Sequence, residues 1–316
     1  MKIYFWVLSL IILFFQCECP NISNKNKINK TEDKFLKICI IDVDQGDAIL
    51  IMTPDNKYIL IDGGKKTYGN NEINPLLDSL QITHLDYIFA SHFDADHIGG
   101  LDEVINHSTR ESIINYCYDR GDTFLSQQFW DYKTSIGNKR KTIAVAETLI
   151  FGEVKIICVC VNGKLINGDS VKVKDENDFC IGLVIKYRDF EFFTAGDISG
   201  VDIGNHKNVE TKLAPLIGDI DVYKVSHHGS KYSSNSAFLN IIKPEAAIIS
   251  VGTNNYGHPA QEVLNRLINI KSRIYQTNSS DYGNIAKEQG CILNGDIWIK
   301  VFNDFYLVDK DTFLFR

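Results

Sequence analysis

Basic residues are in short supply here: 33 lysines and arginines stand against 40 aspartates and glutamates, a formal charge of −7 over 316 residues. No basic stretch interleaved with aromatics exists either. A broad electrostatic grip on nucleic acid is therefore unsupported, and only a local basic groove remains open to it. None of the eight cysteines forms a Cys-x-x-Cys pair, which argues against a cysteine zinc site. No Gly-x-Ser-x-Gly elbow is present, so nothing marks an activated serine nucleophile. A repeat of fixed period is also missing, which removes the solenoid and propeller classes.

The first 34 residues differ from the rest. Lys2, an apolar stretch over 3–15 and then Gln16-Cys-Glu-Cys-Pro20 follow the order of a secretory signal peptide. That stretch falls short of the roughly 20 residues of a membrane span. We therefore expect a signal over 1–19, a polar lead-in over 20–34 and one working domain over 35–316, with no stable membrane insertion after cleavage. Sequons at Asn21, Asn29, Asn106 and Asn278 fit a glycoprotein that is secreted or held in the secretory lumen. Cleavage after Cys19 leaves six cysteines, at 39, 117, 158, 160, 180 and 291. An even number suits disulfides, and their apolar settings suit buried free thiols equally.

An apolar content of 44% is ample for a core. Strand-like runs at 35–43, 48–52 and 58–61 precede a helical pattern at 74–80, a strand ending at Ala90 and a helix opening near Ile98. The mixed, aromatic segment 110–141 reads as an insertion covering the core. Strands return at 142–150, 154–161, 179–187 and 191–194. Strands at 222–226, 246–251 and 273–276 then alternate with helices at 236–242 and 260–268. From Tyr282 onward, Gly283, Gly290 and Gly295 suggest turns of antiparallel hairpins. Two mixed halves with polar motifs at strand ends predict an α/β sandwich with a site along one edge.

The densest of those motifs is Ser91-His-Phe-Asp-Ala-Asp-His97, directly after an apolar strand. Two imidazoles and two carboxylates crowded at a strand end are costly to bury without a cation. Nitrogen and oxygen donors together suit Zn²⁺ or Mn²⁺. Asp62 ends another buried strand and reads equally as a turn or supporting residue. Gly196-Asp197 ends a third, and a Gly before the Asp lets the backbone come close to whatever the carboxylate faces. His227-His228 closes a fourth strand. Neighbouring strand residues face opposite ways, so one imidazole is expected to hold metal while the other meets substrate or packs. His258, before Pro259, follows a fifth.

These motifs resemble the metallo-β-lactamase superfamily, and within it the extracellular domain of the ComEC competence type. The matching pieces are Asp42-Val-Asp-Gln-Gly-Asp-Ala48, Leu60-Ile-Asp-Gly-Gly64, Ser91-His-Phe-Asp-Ala-Asp-His-Ile-Gly-Gly100, Ala195-Gly-Asp197, Ser226-His-His-Gly-Ser230 and Tyr256-Gly-His-Pro259, in order over about 36–290. The resemblance implies an αββα four-layer sandwich in one domain and hydrolysis by metal-activated water. It assigns His92, Asp94, Asp96, His97, Asp197 and His227 to one or two Zn²⁺ or Mn²⁺ ions. Asp96 and His228 are then the proton-transfer pair, and His258 with Lys231 the substrate contacts. Lys231, Lys224, Tyr232 and Tyr256 lie in or beside the site motifs and suit an anionic group or, equally, a plain surface. Asp94 stands where the wider superfamily has a second His, and no clear His within 98–196 completes a first ion's shell. Asn177, Asp178 or Cys180 are the alternatives there. The implied substrate is a small-molecule or nucleic-acid phosphodiester. A lactone, a thioester, another phosphoester or a non-catalytic scaffold are the competing readings.

Overall fold

The computed structural model describes residues 34–108, 115–283 and 285–315. The expected signal, the sequons at Asn21 and Asn29 and the first two cysteines lie outside them. From Lys34 onward the described residues form one compact unit.

Two sheets, each of nine strands among the described residues, face one another. The first runs Asp311–Leu314, Phe305–Val308, Ile297–Val301, Leu36–Ile40, Ile49–Met52, Tyr58–Ile61, Tyr87–Phe89, Tyr116–Asp119, Arg140–Thr142. The second runs Gly290–Ile292, Arg273–Gln276, Ala246–Ile249, Val222–Lys224, Phe190–Thr194, Gly182–Tyr187, Val154–Val161, Thr148–Phe151, with Lys164–Leu165 beside Val154–Val161.

Alternation along the strands sets the layers. Ile59 and Ile61 point between the sheets, where they meet Leu183, Ile185, Phe190 and Phe192. Leu60 points the other way, toward Leu77, Leu101, Val104 and Phe129 on helices outside the first sheet. In the second sheet Phe193, Tyr223 and Ala247 likewise face helices carrying Leu213, Phe238 and Leu264. A one-residue slip would move every one of these to the wrong face, at about 1.5–3 kcal/mol per large apolar side chain exposed. Helices outside, two sheets inside: this is the expected αββα sandwich.

Three sequence expectations need correction. Segment 110–141 is not a cover. Its described part supplies the parallel strands Tyr116–Asp119 and Arg140–Thr142, and its helix Gln127–Ile136 buries Phe129 and Tyr132 on the outer layer. The tail forms the expected antiparallel hairpins only in its last three strands, which extend the first sheet beside Leu36–Ile40, whereas Gly290–Ile292 pairs parallel with Arg273–Gln276 in the second. The strand placed at 142–150 breaks at Ala146, whose φ is 66°. The six described cysteines are all free thiols, five of them buried.

Each sheet changes character midway. Antiparallel pairing gives way to parallel pairing after Tyr58–Ile61 in the first and after Phe190–Thr194 in the second. Parallel strands share a direction, so their carboxyl ends gather along one edge. That edge receives the polar motifs.

Candidate metal centre

Four strands along the edge lead into side chains of the centre. Tyr58–Ile61 is followed by Asp62, Tyr87–Phe89 by the 91–97 motif, Phe190–Thr194 by Asp197, and Val222–Lys224 by His227 and His228. Asp96 and His97 sit on the short helix Ala95–Ile98. Gly196 has φ of 49°, and a Cβ there would fall 2.8 Å from Ser91 Oγ and 2.9 Å from Cys180 Sγ. Only glycine lets the Asp197 turn lie so close to the 91–97 loop.

His97 is the hub. Its Nδ1 lies 2.8 Å from Asp62 Oδ2, and its Nε2 lies 3.3 Å from Asp197 Oδ1. Asp62 also accepts both the backbone N–H and the hydroxyl of Ser91, at 2.7 and 2.6 Å. A carboxylate on one imidazole nitrogen fixes the ring and leaves the other for a cation. Three groups of side chains bring ligand atoms within 4.8 Å of one another: His92, His97 and Asp197; Asp96, His97 and His228; Asp47, Asp62 and His97. His228 Nε2 lies 3.5 Å from Asp96 Oδ2 and 3.7 Å from Asp197 Oδ1.

The residues fit a divalent ion on their own chemistry. His92 Nε2, His97 Nε2, His228 Nε2 and Asp197 Oδ1 are buried and have no hydrogen-bond partner. Four such atoms converging without partners would be expensive in a purely structural cluster. Burial alone would lower the His97 pKa, but the facing carboxylates of Asp197 and Asp62 outweigh it and hold it well above its usual value. Burial likewise works against the Asp197 carboxylate, yet His227, His97 and His228 hold its pKa well below the usual range. Asp96 is lowered as well, burial being outweighed by His228 and His97. The cluster is thus arranged around positive charge.

The two histidines of the 227–228 pair do not divide as strand alternation predicts. Both have left-handed backbone, φ 53° and 51°, so the chain has left the pleat before it reaches them. Both rings consequently face Asp197. His228 is 1% exposed, with Nδ1 3.0 Å from the Ser250 carbonyl. His227 is 16% exposed, with Nε2 3.7 Å from Asp197 Oδ2 and 3.4 Å from Asn177 Nδ2. Asp94, at the rim, lies 3.5 Å from His92 Nε2 and outside the three groups. His258 is buried, its ring 5.2 Å from that of His227, and Lys231 is exposed in a cleft beside it.

Of the alternatives for a missing ligand, Asp178 accepts the backbone N–H groups of Ser199 and Lys207, and the Cys180 sulfur accepts that of Asp197. Both are committed to holding loops. Lys224 is not an anion contact: it is 1% exposed and bonded to Asp47 at 2.8 and 2.9 Å. Asp47 in turn lies 3.4 Å from His228 Nδ1. No role for Asp47 was visible in the sequence, because nothing local marks it as the partner of a lysine 177 residues away. Glu176 is a second unforeseen support. It accepts the Phe93 backbone N–H and forks with Arg120, tying down the loop between His92 and Asp94.

These supports make a prediction. Asp62→Ala should weaken divalent-ion affinity by about 10–100-fold, because His97 loses the partner that orients it. Calorimetric titration with Zn²⁺ or Mn²⁺ measures this, and an unchanged affinity would show that His97 is positioned otherwise.

Comparison with known proteins agrees with the fold. A family described as "Beta-lactamase superfamily domain" matches residues 57–226. ComE operon protein 3 of Bacillus subtilis is 26% identical over 263 residues, covering 77% of this chain and 32% of its own length. Recombination protein 2 of Haemophilus influenzae is 28% identical over 249 residues, covering 75% of this chain and 27% of its own. The chain thus spans about a third of the length of these relatives. A solved structure of a CmlA beta-hydroxylase variant shares the fold at a TM-score of 0.52, with 11% identity, over 86% of this chain and 54% of that one. The chain belongs to the beta-lactamase superfamily, with the metallo-β-lactamase fold and the motif set of the ComEC type.

Proposed function

We propose that this protein is a metal-dependent phosphodiesterase acting outside the cytosol. The observation that carries the proposal is the convergence of His92, His97, His228, Asp96 and Asp197, with four buried donor atoms lacking any other partner. Nitrogen and oxygen donors in this mixture suit one or two Zn²⁺ or Mn²⁺ ions. A divalent ion held there supplies Lewis acidity and makes water a nucleophile near neutral pH.

The chain's own side chains divide the remaining work. His228, fully enclosed and pinned at Nδ1, suits holding the ion, whereas His227 lies on the more open side. Burial thus favours exchanging the roles expected from the sequence for these two. Asp96, 22% exposed and 3.5 Å from His228 Nε2, is placed to take up or deliver a proton. Asp94, 37% exposed at the rim, can complete an ion's shell or meet substrate. His258 and Lys231 line the cleft that continues from the centre, where the part of the substrate next to the phosphoryl group would lie. One of the relatives is named for recombination, a process on nucleic acid, and this supports a phosphodiester over a lactone or thioester. Export rests on the leader-like residues 1–19. Among the described residues no helix is long and apolar enough to cross a membrane.

The test is turnover of bis(p-nitrophenyl) phosphate against a lactone and a thioester, with Mn²⁺ and Zn²⁺ supplied in turn. We expect the aryl phosphodiester to be cleaved, the activity to disappear on chelation and to return with the ion. Cleavage of the lactone or thioester alone would replace the phosphodiesterase reading.

A further inference from the structure

Beside the metal centre lies a cleft of about 400 Å³ whose walls include Lys231, Tyr232, Tyr256, His258 and Tyr282. Resting on the phosphodiesterase reading, we propose that this cleft holds a flat aromatic ring of the substrate, of the nucleobase type. The protein then grips one nucleotide unit by stacking, and does not grip a long polyanion by charge.

Position comes first. His258 belongs to both the cleft and the edge of the centre: its ring is 5.2 Å from that of His227 and 6.3 Å from that of His228, nearly parallel to the latter at 24°. A phosphoryl group at the centre would therefore place its next substituent against His258. From His258 the aromatic surface continues outward. The Tyr256 ring lies 5.8 Å away, tilted by 32°. On the other side the Tyr232 ring lies 5.1 Å from that of His206, under the Lys231 ammonium at 5.1 Å.

Exposure is the second observation. Tyr256 is 70% exposed and Tyr282 41%. Large aromatic surfaces left open at the mouth of one cleft mark a place where an apolar, flat partner sits. Stacking platforms of this sort accept any base, since every base presents a π face.

Charge is the third. The cleft's ionisable groups other than His258 and the tyrosines are Lys231 and Glu262, which balance. A larger depression, whose walls include Thr253 and Asn278, gathers Asp42, Asp44, Glu72 and Asp296 and repels a phosphate backbone. With a net charge of −7 and no basic track, release of counterions from many phosphates cannot supply the affinity.

The experiment compares thymidine 5′-(p-nitrophenyl phosphate) with methyl p-nitrophenyl phosphate on the full, metal-loaded chain. Wild type should prefer the thymidine ester, and Tyr256→Ala should lower the ratio of the two kcat/KM values about tenfold. Tyr256→Phe, which keeps the ring, should restore it. Raising salt from 50 to 200 mM should change KM for the thymidine ester by less than about threefold, as expected for contact with a single phosphate. No preference in the wild type, or a ratio unmoved by Tyr256→Ala, overturns the cleft assignment while leaving the phosphodiesterase reading in place. Should neither ester turn over, that reading fails, and calorimetric binding of thymidine 5′-monophosphate still decides on the cleft. About tenfold weaker binding to Tyr256→Ala supports it, whereas equal affinity or no binding overturns it.

Discussion

Replacing His97 by alanine should abolish stoichiometric ion binding and lower hydrolysis by a thousandfold or more. The size follows from its place in the centre. His97 belongs to all three groups of converging ligand atoms, so no pairing of the remaining side chains keeps a complete set. An ion contributes several kcal/mol of charge stabilisation in the transition state. Each 1.36 kcal/mol is tenfold in rate, so losing about 4 kcal/mol gives the thousandfold figure. The variant also leaves Asp62, 1% exposed, without the imidazole it faces, and leaves Asp197, 3% exposed, with only His227 and His228 beside it. Metal content and kcat/KM measured together check the prediction, with circular dichroism confirming that the chain is folded. A folded His97→Ala protein retaining both would remove His97 from the centre.

Lys224→Met should cost about 3–5 kcal/mol of stability, a large part of what a domain of this kind possesses. Lys224 and Asp47 are 1% and 2% exposed at their side chains and in direct contact. Burial pushes the Asp47 pKa up, and Lys224, His228 and His97 together bring it below its usual value. Removing the ammonium strands a carboxylate with nothing to offset its burial except the histidines that the centre needs. Gly46 fits this arrangement: a Cβ there would come 2.6 Å from the Asp96 carbonyl, so the turn carrying Asp47 rests on the metal motif. The double replacement Asp47→Asn with Lys224→Met should recover most of the loss, because no uncompensated charge remains. Denaturant unfolding of the single and double variants reads both. A single-variant change below about 1 kcal/mol would mean that the pair is solvated.

Much of the candidate centre was legible because its potential donors are concentrated. Four potential donors in seven residues after an apolar strand cannot be hidden, and the structure brings three of them, His92, Asp96 and His97, into the converging groups. Gly196-Asp197 was legible for the same reason: a carboxylate directly after Phe190–Thr194 needs an explanation. The pair of Asp47 and Lys224 was not, since 177 residues separate them and nothing local says that two opposite charges meet. The orientation of His227 and His228 was missed because it depends on two successive left-handed residues, which sequence alternation cannot express. The layers followed from apolar alternation, yet Arg140 and Lys141 of the strand Arg140–Thr142 fall in the segment that reads as an insertion. Three residues with two cationic side chains carry no strand pattern of their own, and only pairing with Tyr116–Asp119 orders them. The tail illustrates the same limit. Periodicity identifies a strand but not the sheet it joins.

Metal analysis of the purified, folded protein addresses the central claim most directly. The account predicts at least one Zn²⁺ or Mn²⁺ per chain, removed by chelation together with hydrolysis and restored with it on adding the ion back. A folded protein that neither contains nor takes up a stoichiometric divalent ion would contradict it.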